Sequence, residues 1–324
     1  MLPRKVWNSV ISYPKNIPSR CGTERLKANP RVPSRCALAL VKRDLQAHRD
    51  ISTLKAQERP QHQKTSLPIP TNTSQARSPT TIMASIRRFF YSQLFVTPPK
   101  PTGDLTGKTV IVTGSNVGLG KEAARHFTQL NASTVILAVR SIEKGEAARK
   151  DIESTTGRSN IVKVMQLDMS SYQSVLDFAQ KASKELERVD IAVLNAGVTR
   201  AAWEVFEQDE STITVNVVST FLLAFALLPK LKDTASKFNT RPTLTIVSSE
   251  VHEWATFDER NAPEGKLFER LNEKVVNGKE VSLNNRYQVS KLLEVLFVRE
   301  FCERYPESQI PVTVNLVNPG FCHS

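Results

Sequence analysis

Cysteine is scarce. The 324 residues hold four, at Cys21, Cys36, Cys302 and Cys322, and no C-x-x-C pair. That excludes a disulfide scaffold and favours a reducing compartment. The expected location is the cytoplasm, with mitochondrial or membrane-associated placement as alternatives. No stretch of about 18 uninterrupted apolar residues occurs, which excludes a polytopic membrane protein. Acidic residues are nearly missing from one region: residues 1–82 hold 4 Asp/Glu against 15 Lys/Arg. The remainder is almost balanced, with 28 acids against 29 bases, so the net charge of +12 describes a tail. A nucleic-acid function built on total charge is therefore not expected. No metal site is expected either.

Half of the 18 prolines also fall in residues 1–82 and interrupt every candidate helix. Such a segment cannot bury enough apolar surface to offset its ordering entropy, so it is expected to be a disordered basic tail. Three origins compete. A mitochondrial transit peptide fits the Arg and Ser content, but no clean amphipathic helix can be drawn. A basic arm for nucleic acid or anionic membrane lacks aromatic interleaving. The favoured origin is upstream sequence that the working protein does not use, because Met83 opens M-A-S-I-R-R-F-F-Y like an ordinary start. Residues 83–96 set Arg87 and Arg88 beside Phe89, Phe90, Tyr91, Leu94 and Phe95. They could lie on a membrane surface as a short amphipathic helix, although packing on the domain is favoured. Pro98, Pro99, Pro101 and Gly103 then make a linker that ends the 83–103 segment, leaving one domain over 104–324.

From there short apolar runs alternate with amphipathic stretches. Strands are expected at 109–113, 134–139, 161–167, 190–194, 243–248 and 312–317. Helices are expected at 118–130, 142–156, 171–188, 207–231 and 285–305. Continuous β-branched runs between helices predict an α/β fold, a doubly wound parallel sheet of the Rossmann type. Its ligand crevice lies at the carboxyl ends of the strands.

Thr113 to Gly120 reads T-G-S-N-V-G-L-G, directly after the first strand and opening a helix. Gly114 permits the tight turn, Gly118 lets backbone approach a phosphate, and Gly120 allows close helix–strand packing. The helix N-terminus offers free N–H groups to a pyrophosphate. A plain strand-to-helix turn is the bland alternative, but the flanking strand and helix favour a dinucleotide. No G-K-S/T follows, so a nucleoside triphosphatase loop is excluded.

Tyr287 and Lys291 form Y-x-x-x-K within a helix, one turn apart on one face. An ammonium at that distance stabilises a phenolate, which equips a Tyr for proton transfer. Y-x-x-x-K alone is common. Its companions are T-I-V-S-S ending at Ser249, N-A-G at Asn195 to Gly197, Asn216 in T-V-N-V-V-S, and N-P-G at Asn318 to Gly320.

The T-G-x-x-x-G-x-G spacing and these companions, in order from about Gly107 to Gly320, resemble the short-chain dehydrogenase/reductase family. V-S-S-E-V-H and the long segment before Tyr287 look most like its retinol-dehydrogenase-like and WW-domain-oxidoreductase-like branch. The resemblance implies that Tyr287 is the general acid/base and Lys291 tunes it and binds the nicotinamide ribose. It implies that Ser249 holds the substrate oxygen and Asn216 anchors a water in a proton relay. Cofactor contacts fall to Gly114, Ser115, Asn116, Gly118, Leu119, Gly120, Arg140, Asp168, Asn195, Gly197, Tyr287, Lys291, Pro319 and Gly320. Strand two ends at Arg140 with no acid before Glu143, so NADP is expected over NAD. A solvent-facing helix-start Arg is the alternative.

Thirty-seven residues, Glu250 to Arg286, separate Ser249 from Tyr287. They are read either as a lid or as an excursion packed outside the sheet. His252 within them is read as a surface residue. The chain stops four residues after Gly320, where the family continues with a helix and a seventh strand, so a truncation is expected. The leading function is reduction of a carbonyl, or oxidation of an alcohol, in a small molecule with NADP(H). The alternatives are a catalytically silent nucleotide-binding protein and a basic-tailed scaffold. A homodimer is possible.

Overall fold

Every residue of β1, Thr109–Thr113, is buried, so both of its faces must be covered. They are, because alternate side chains enter two different cores. Val110 and Val112 join Val135, Leu137 and Val139 in one core. Ile111 joins Ile136 and Ala192 in the other.

The computed structural model describes residues 101–320 together with Arg87, Tyr91, Phe95 and Cys322. The expectations for residues 1–82 lie outside the described residues. Arg87, Tyr91 and Phe95 fall in a unit separate from the one that holds the residues after Gly103. All three are helical and exposed, and the Tyr91 and Phe95 rings are 5.5 Å apart.

In the main unit, α1 (Gly118–Gln129), β2 (Thr134–Val139), α2 (Ile142–Thr156) and β3 (Val162–Gln166) follow β1. Next come α3 (Tyr172–Glu185) and β4 (Ile191–Leu194). A small hairpin of β5 (Val205–Phe206) and β6 (Asp209–Glu210) precedes a π-helical stretch, Ile213–Ser219, which runs into α4 (Thr220–Phe238). Then come β7 (Thr243–Val247), two 3-10 turns (Glu250–Trp254 and Asp258–Asn261) and α5 (Leu267–Leu271). The hairpin β8 (Val275–Val276) and β9 (Lys279–Glu280), α6 (Leu283–Arg304) and β10 (Thr313–Val317) complete the order.

The sheet order is β10-β7-β4-β1-β2-β3, and all five pairings are parallel. Parallel neighbours require crossover helices, so α1 and α2 cover one face and α3, α4 and α6 the other. The order reverses between β1 and β4, and a crevice opens there at the strands' carboxyl ends. The six strands and the doubly wound topology are as expected from the sequence.

The expected helix 207–231 is corrected. Glu207 has φ +57°, a left-handed turn between β5 and β6, and helical structure begins only after Glu210 and continues to Phe238. The stretch Ile213–Phe238 is long and apolar enough to cross a membrane, yet 89% of its most apolar window is buried inside this unit. It is the central core helix.

The excursion 250–286 resolves as a packed one. Leu267, Phe268 and Leu271 enter the larger core, and no residue from 250 to 286 lines the crevice. Its second 3-10 turn is pinned where Arg286 donates to Glu259 at 2.7 Å, with Arg286 fully buried.

Candidate active site

The crevice encloses about 590 Å³. Its floor begins at the glycine turn. Gly114 sits at φ +64°, and a Cβ there would stand 3.0 Å from the Ala196 backbone. A Cβ on Gly120 would stand 2.5 Å from both Asn195 Nδ2 and the Gly114 carbonyl. The turn is thus pressed against the N-A-G segment. Thr113 Oγ1 accepts from the Asn195 and Ala196 N–H groups at 3.0 and 2.9 Å, and Asn195 Nδ2 donates to the Thr113 carbonyl at 3.0 Å. Asn195 therefore fastens two ligand-facing turns together while bordering the crevice.

Asn116, Val117, Leu119 and Gly120 line the crevice beside the start of α1. Gly118, at φ +54°, opens that helix. Ser115 departs from its expected role. It is fully buried and donates to the Val112 carbonyl at 2.8 Å, so its hydroxyl braces the turn from inside. Arg140 is exposed at the crevice rim, just before Ser141 caps α2. Asp168 also lines it, with Oδ1 accepting from the Ser170 N–H and hydroxyl at 2.9 and 2.7 Å. Pro319 and Gly320 close the far side.

Tyr287, Lys291 and Ser249 line the same crevice. Lys291 Nζ lies 5.9 Å from the Tyr287 ring centre. Nζ donates to the Val247 carbonyl at 3.0 Å and to Glu294 Oε1 at 2.9 Å. An ammonium has three donors, so one remains for the crevice. Gly197 keeps that approach open, since a Cβ there would stand 3.7 Å from Nζ. Ser249 caps the first 3-10 turn, accepting from the Val251 N–H at 3.4 Å.

Asn216 is fully buried in the π-helical stretch, a distortion frequent at functional positions. Its side chain is committed to the scaffold. Oδ1 accepts from the Val198 N–H at 2.8 Å, and Nδ2 donates to the Val198 carbonyl at 2.9 Å and Ser290 Oγ at 3.0 Å. Asn216 thus ties the loop after β4 to the helix bearing Tyr287. His252 is not the free surface residue expected. It is half-buried, and its Nδ1 lies 2.7 Å from the Ser249 carbonyl.

Two residues near the centre escaped the sequence reading, Glu294 and Ser290. Glu294 stands as a lone charge in the apolar run L-L-E-V-L-F-V after Lys291, and that was the available signal. Ser290 carries none.

A strand-to-helix turn packed too tightly for a Cβ at Gly114 or Gly120, opposite a Tyr–Lys pair in one crevice, fits a dinucleotide whose reacting end meets a proton-bearing side chain. The class this defines is a nicotinamide-dependent oxidoreductase. Residues 108–239 match the family model for short chain dehydrogenases. The chain is 54% identical over 237 residues to the short chain dehydrogenase/reductase dmxR8 of a Cryptosporiopsis species, covering 73% of this chain and 72% of that protein. It is 43% identical over 240 residues to the short chain dehydrogenase atnD of Emericella nidulans, covering 73% and 74%. A crystal structure of a short chain dehydrogenase from Escherichia coli, complexed with NADPH, superposes with a TM-score of 0.50 at 25% identity, covering 69% of this chain and 80% of that one. The chain belongs to the short-chain dehydrogenase/reductase family.

Proposed function

We propose that the protein interconverts a carbonyl and an alcohol in a small molecule, using NADP(H) in preference to NAD(H). One observation carries this reading: Tyr287, Lys291 and Ser249 line the same crevice as the glycine turn and Arg140. The bound cofactor would supply or accept the hydride. The N–H groups at the start of α1 hold its pyrophosphate. Lys291, with its remaining donor, holds the nicotinamide ribose, and Gly197 and Pro319 border that end.

Ser249 donates to the substrate oxygen and fixes its position. The Tyr287 hydroxyl gives its proton to that oxygen during reduction and takes it back in oxidation. The adjacent Lys291 ammonium stabilises the phenolate left behind. Asn216 keeps the β4 loop and α6 in register. With both Nδ2 hydrogens committed to Val198 and Ser290, its side chain has none left to donate to a water.

Arg140 supports the choice of NADP(H). A guanidinium at the end of β2 offers a planar donor pair to a ribose 2′-phosphate, where NAD-selective folds place an acid. The test compares NADPH and NADH affinity by fluorescence titration in the parent and in Arg140→Asp. The parent is expected to favour NADPH by about tenfold or more, the value of one good charge-assisted pair. Arg140→Asp should flatten or reverse that ratio. Equal affinities in the parent would overturn the assignment.

A further inference from the structure

Lys291 does not stand alone against Tyr287. Three positions along α6, Glu294 is 1% exposed, and Lys291 itself is 5% exposed. Glu294 Oε1 accepts from Nζ at 2.9 Å, and Glu294 Oε2 is buried as well. A carboxylate taken out of water is costly unless it is paired, so a Glu within an apolar run has a reason to be there. Its packing reason is weak, because a Leu or Met would fill the same volume.

The surroundings of the pair are sparse in charge. From the strand end comes the Ser248 hydroxyl, which donates to the Lys291 carbonyl at 3.4 Å and also favours the ionised Glu294. From the first 3-10 turn comes His252, whose charge acts in the same direction, with Glu250 and Glu253 on the same turn. Glu250 is engaged by Asn318 Nδ2 at 3.3 Å. Arg286, beside Tyr287, is occupied by Glu259. Burial pushes the Glu294 carboxyl above its ordinary value, and Lys291 opposes that most strongly.

We propose that Glu294 is a positioning residue for Lys291, which fixes the ammonium between Val247 and the crevice and offsets part of the positive charge that reaches Tyr287. This rests on the reading of Tyr287 as the proton-bearing group. Two contacts, one to a neutral carbonyl and one to a carboxylate, hold Nζ with a single donor facing the crevice. The carboxylate lies on the side away from the crevice, so it lessens the field at the phenol without competing for the ribose. The working pH of the site is then set by the pair rather than by Lys291 alone.

The test uses the full chain with Glu294→Gln and Glu294→Met. Gln keeps an oxygen acceptor for Nζ and drops the charge, whereas Met drops both. Tyr287 ionisation is read by tyrosinate absorbance, subtracting the same variant carrying Tyr287→Phe. NADPH affinity is read by fluorescence quenching. The pH profile is taken with menadione as the carbonyl probe. In Glu294→Gln, the tyrosinate midpoint and the alkaline limb should move about one pH unit toward acid, the order expected at an effective dielectric of about 20 from removing a unit charge that stands behind Lys291 Nζ, itself 5.9 Å from the Tyr287 ring centre. NADPH affinity should stay within about twofold, because the acceptor is retained. Glu294→Met should show the same movement and lose about tenfold in NADPH affinity, as a charged hydrogen bond is removed.

A merely structural Glu294 would lower thermal stability in both variants and leave the midpoint in place, which would overturn the proposal. If the Gln variant does not fold, the Met variant reads the same midpoint. Failure of the parent to turn over menadione would count against the proposed function alone. The tyrosinate midpoint would still decide the role of Glu294.

Discussion

At the scale of single residues, Tyr287 carries the sharpest expectation. Tyr287→Phe removes the hydroxyl and keeps the ring, so turnover should fall by about 10²-fold or more while NADPH affinity persists. Steady-state rates beside a binding titration check both halves, and near-normal turnover would remove Tyr287 from the proton path. This pair was legible in the sequence because its chemistry demands two residue types at one helical spacing. Asn216 was legible only by resemblance. Its partners Val198 and Ser290 lie 18 and 74 positions away, and no local pattern announces a contact between distant segments. The Ser115 hydroxyl obeys the same rule. Its place in the turn was clear, but the direction of its side chain depends on the Val112 carbonyl beneath it.

At the scale of elements, the glycine turn and the pinned excursion behave differently under substitution. Gly120→Ala sets a methyl 2.5 Å from the Gly114 carbonyl and Asn195 Nδ2, and backbone cannot yield cheaply. It should cost about 1–3 kcal/mol in stability, the usual range for overpacking, and weaken NADPH binding at the displaced turn. Denaturant unfolding and cofactor titration together read this out. In the excursion, Arg286→Ala leaves Glu259 without its buried guanidinium and should cost about 3–5 kcal/mol. Replacing both partners, Arg286→Met with Glu259→Leu, should recover most of that loss. Failure of the double variant to recover would mean that the pair is not what pins the segment. The strands were legible because buried β-branched runs have few alternatives. The start of α4 was not, because Glu207 to Glu210 are a polar, acidic run of the kind that fills a helix's first turn, whereas the β5–β6 hairpin claims them.

At the scale of the whole molecule, two carboxyls shape the pH dependence of stability with opposite sign. Arg125 and Lys121 hold the Asp151 carboxyl down to about 2, at contacts of 2.7 and 2.8 Å that join α1 to α2. A depressed value means that this contribution is present above the ordinary 3.8 and is lost as pH falls toward about 2. Glu294 has the opposite sign. Its value is raised, so its contribution is complete below the ordinary 4.5 and declines as pH rises through the raised value. Calorimetric Tm measured across pH should therefore fall toward acid through Asp151 and decline above pH 4.5 through Glu294. Asp151→Asn should flatten the acid fall, and Glu294→Gln should remove the decline that begins above 4.5. An unchanged profile in either variant would reject that residue as the source.

The excursion leaves the sheet immediately after Ser249 and returns immediately before Tyr287. The two groups proposed to face the substrate oxygen thus stand at the two ends of one packed segment, held by Leu267, Phe268 and Leu271, by the Arg286–Glu259 pair, and by Asn272 hydrogen bonds to Glu210 and Asp209. Local opening of that segment would loosen both ends together while the glycine turn, on the other half of the sheet, is untouched. Heating would therefore silence turnover at a temperature where the dinucleotide still binds, and a proteolytic nick in the β8–β9 turn would leave a cofactor carrier in place of an enzyme.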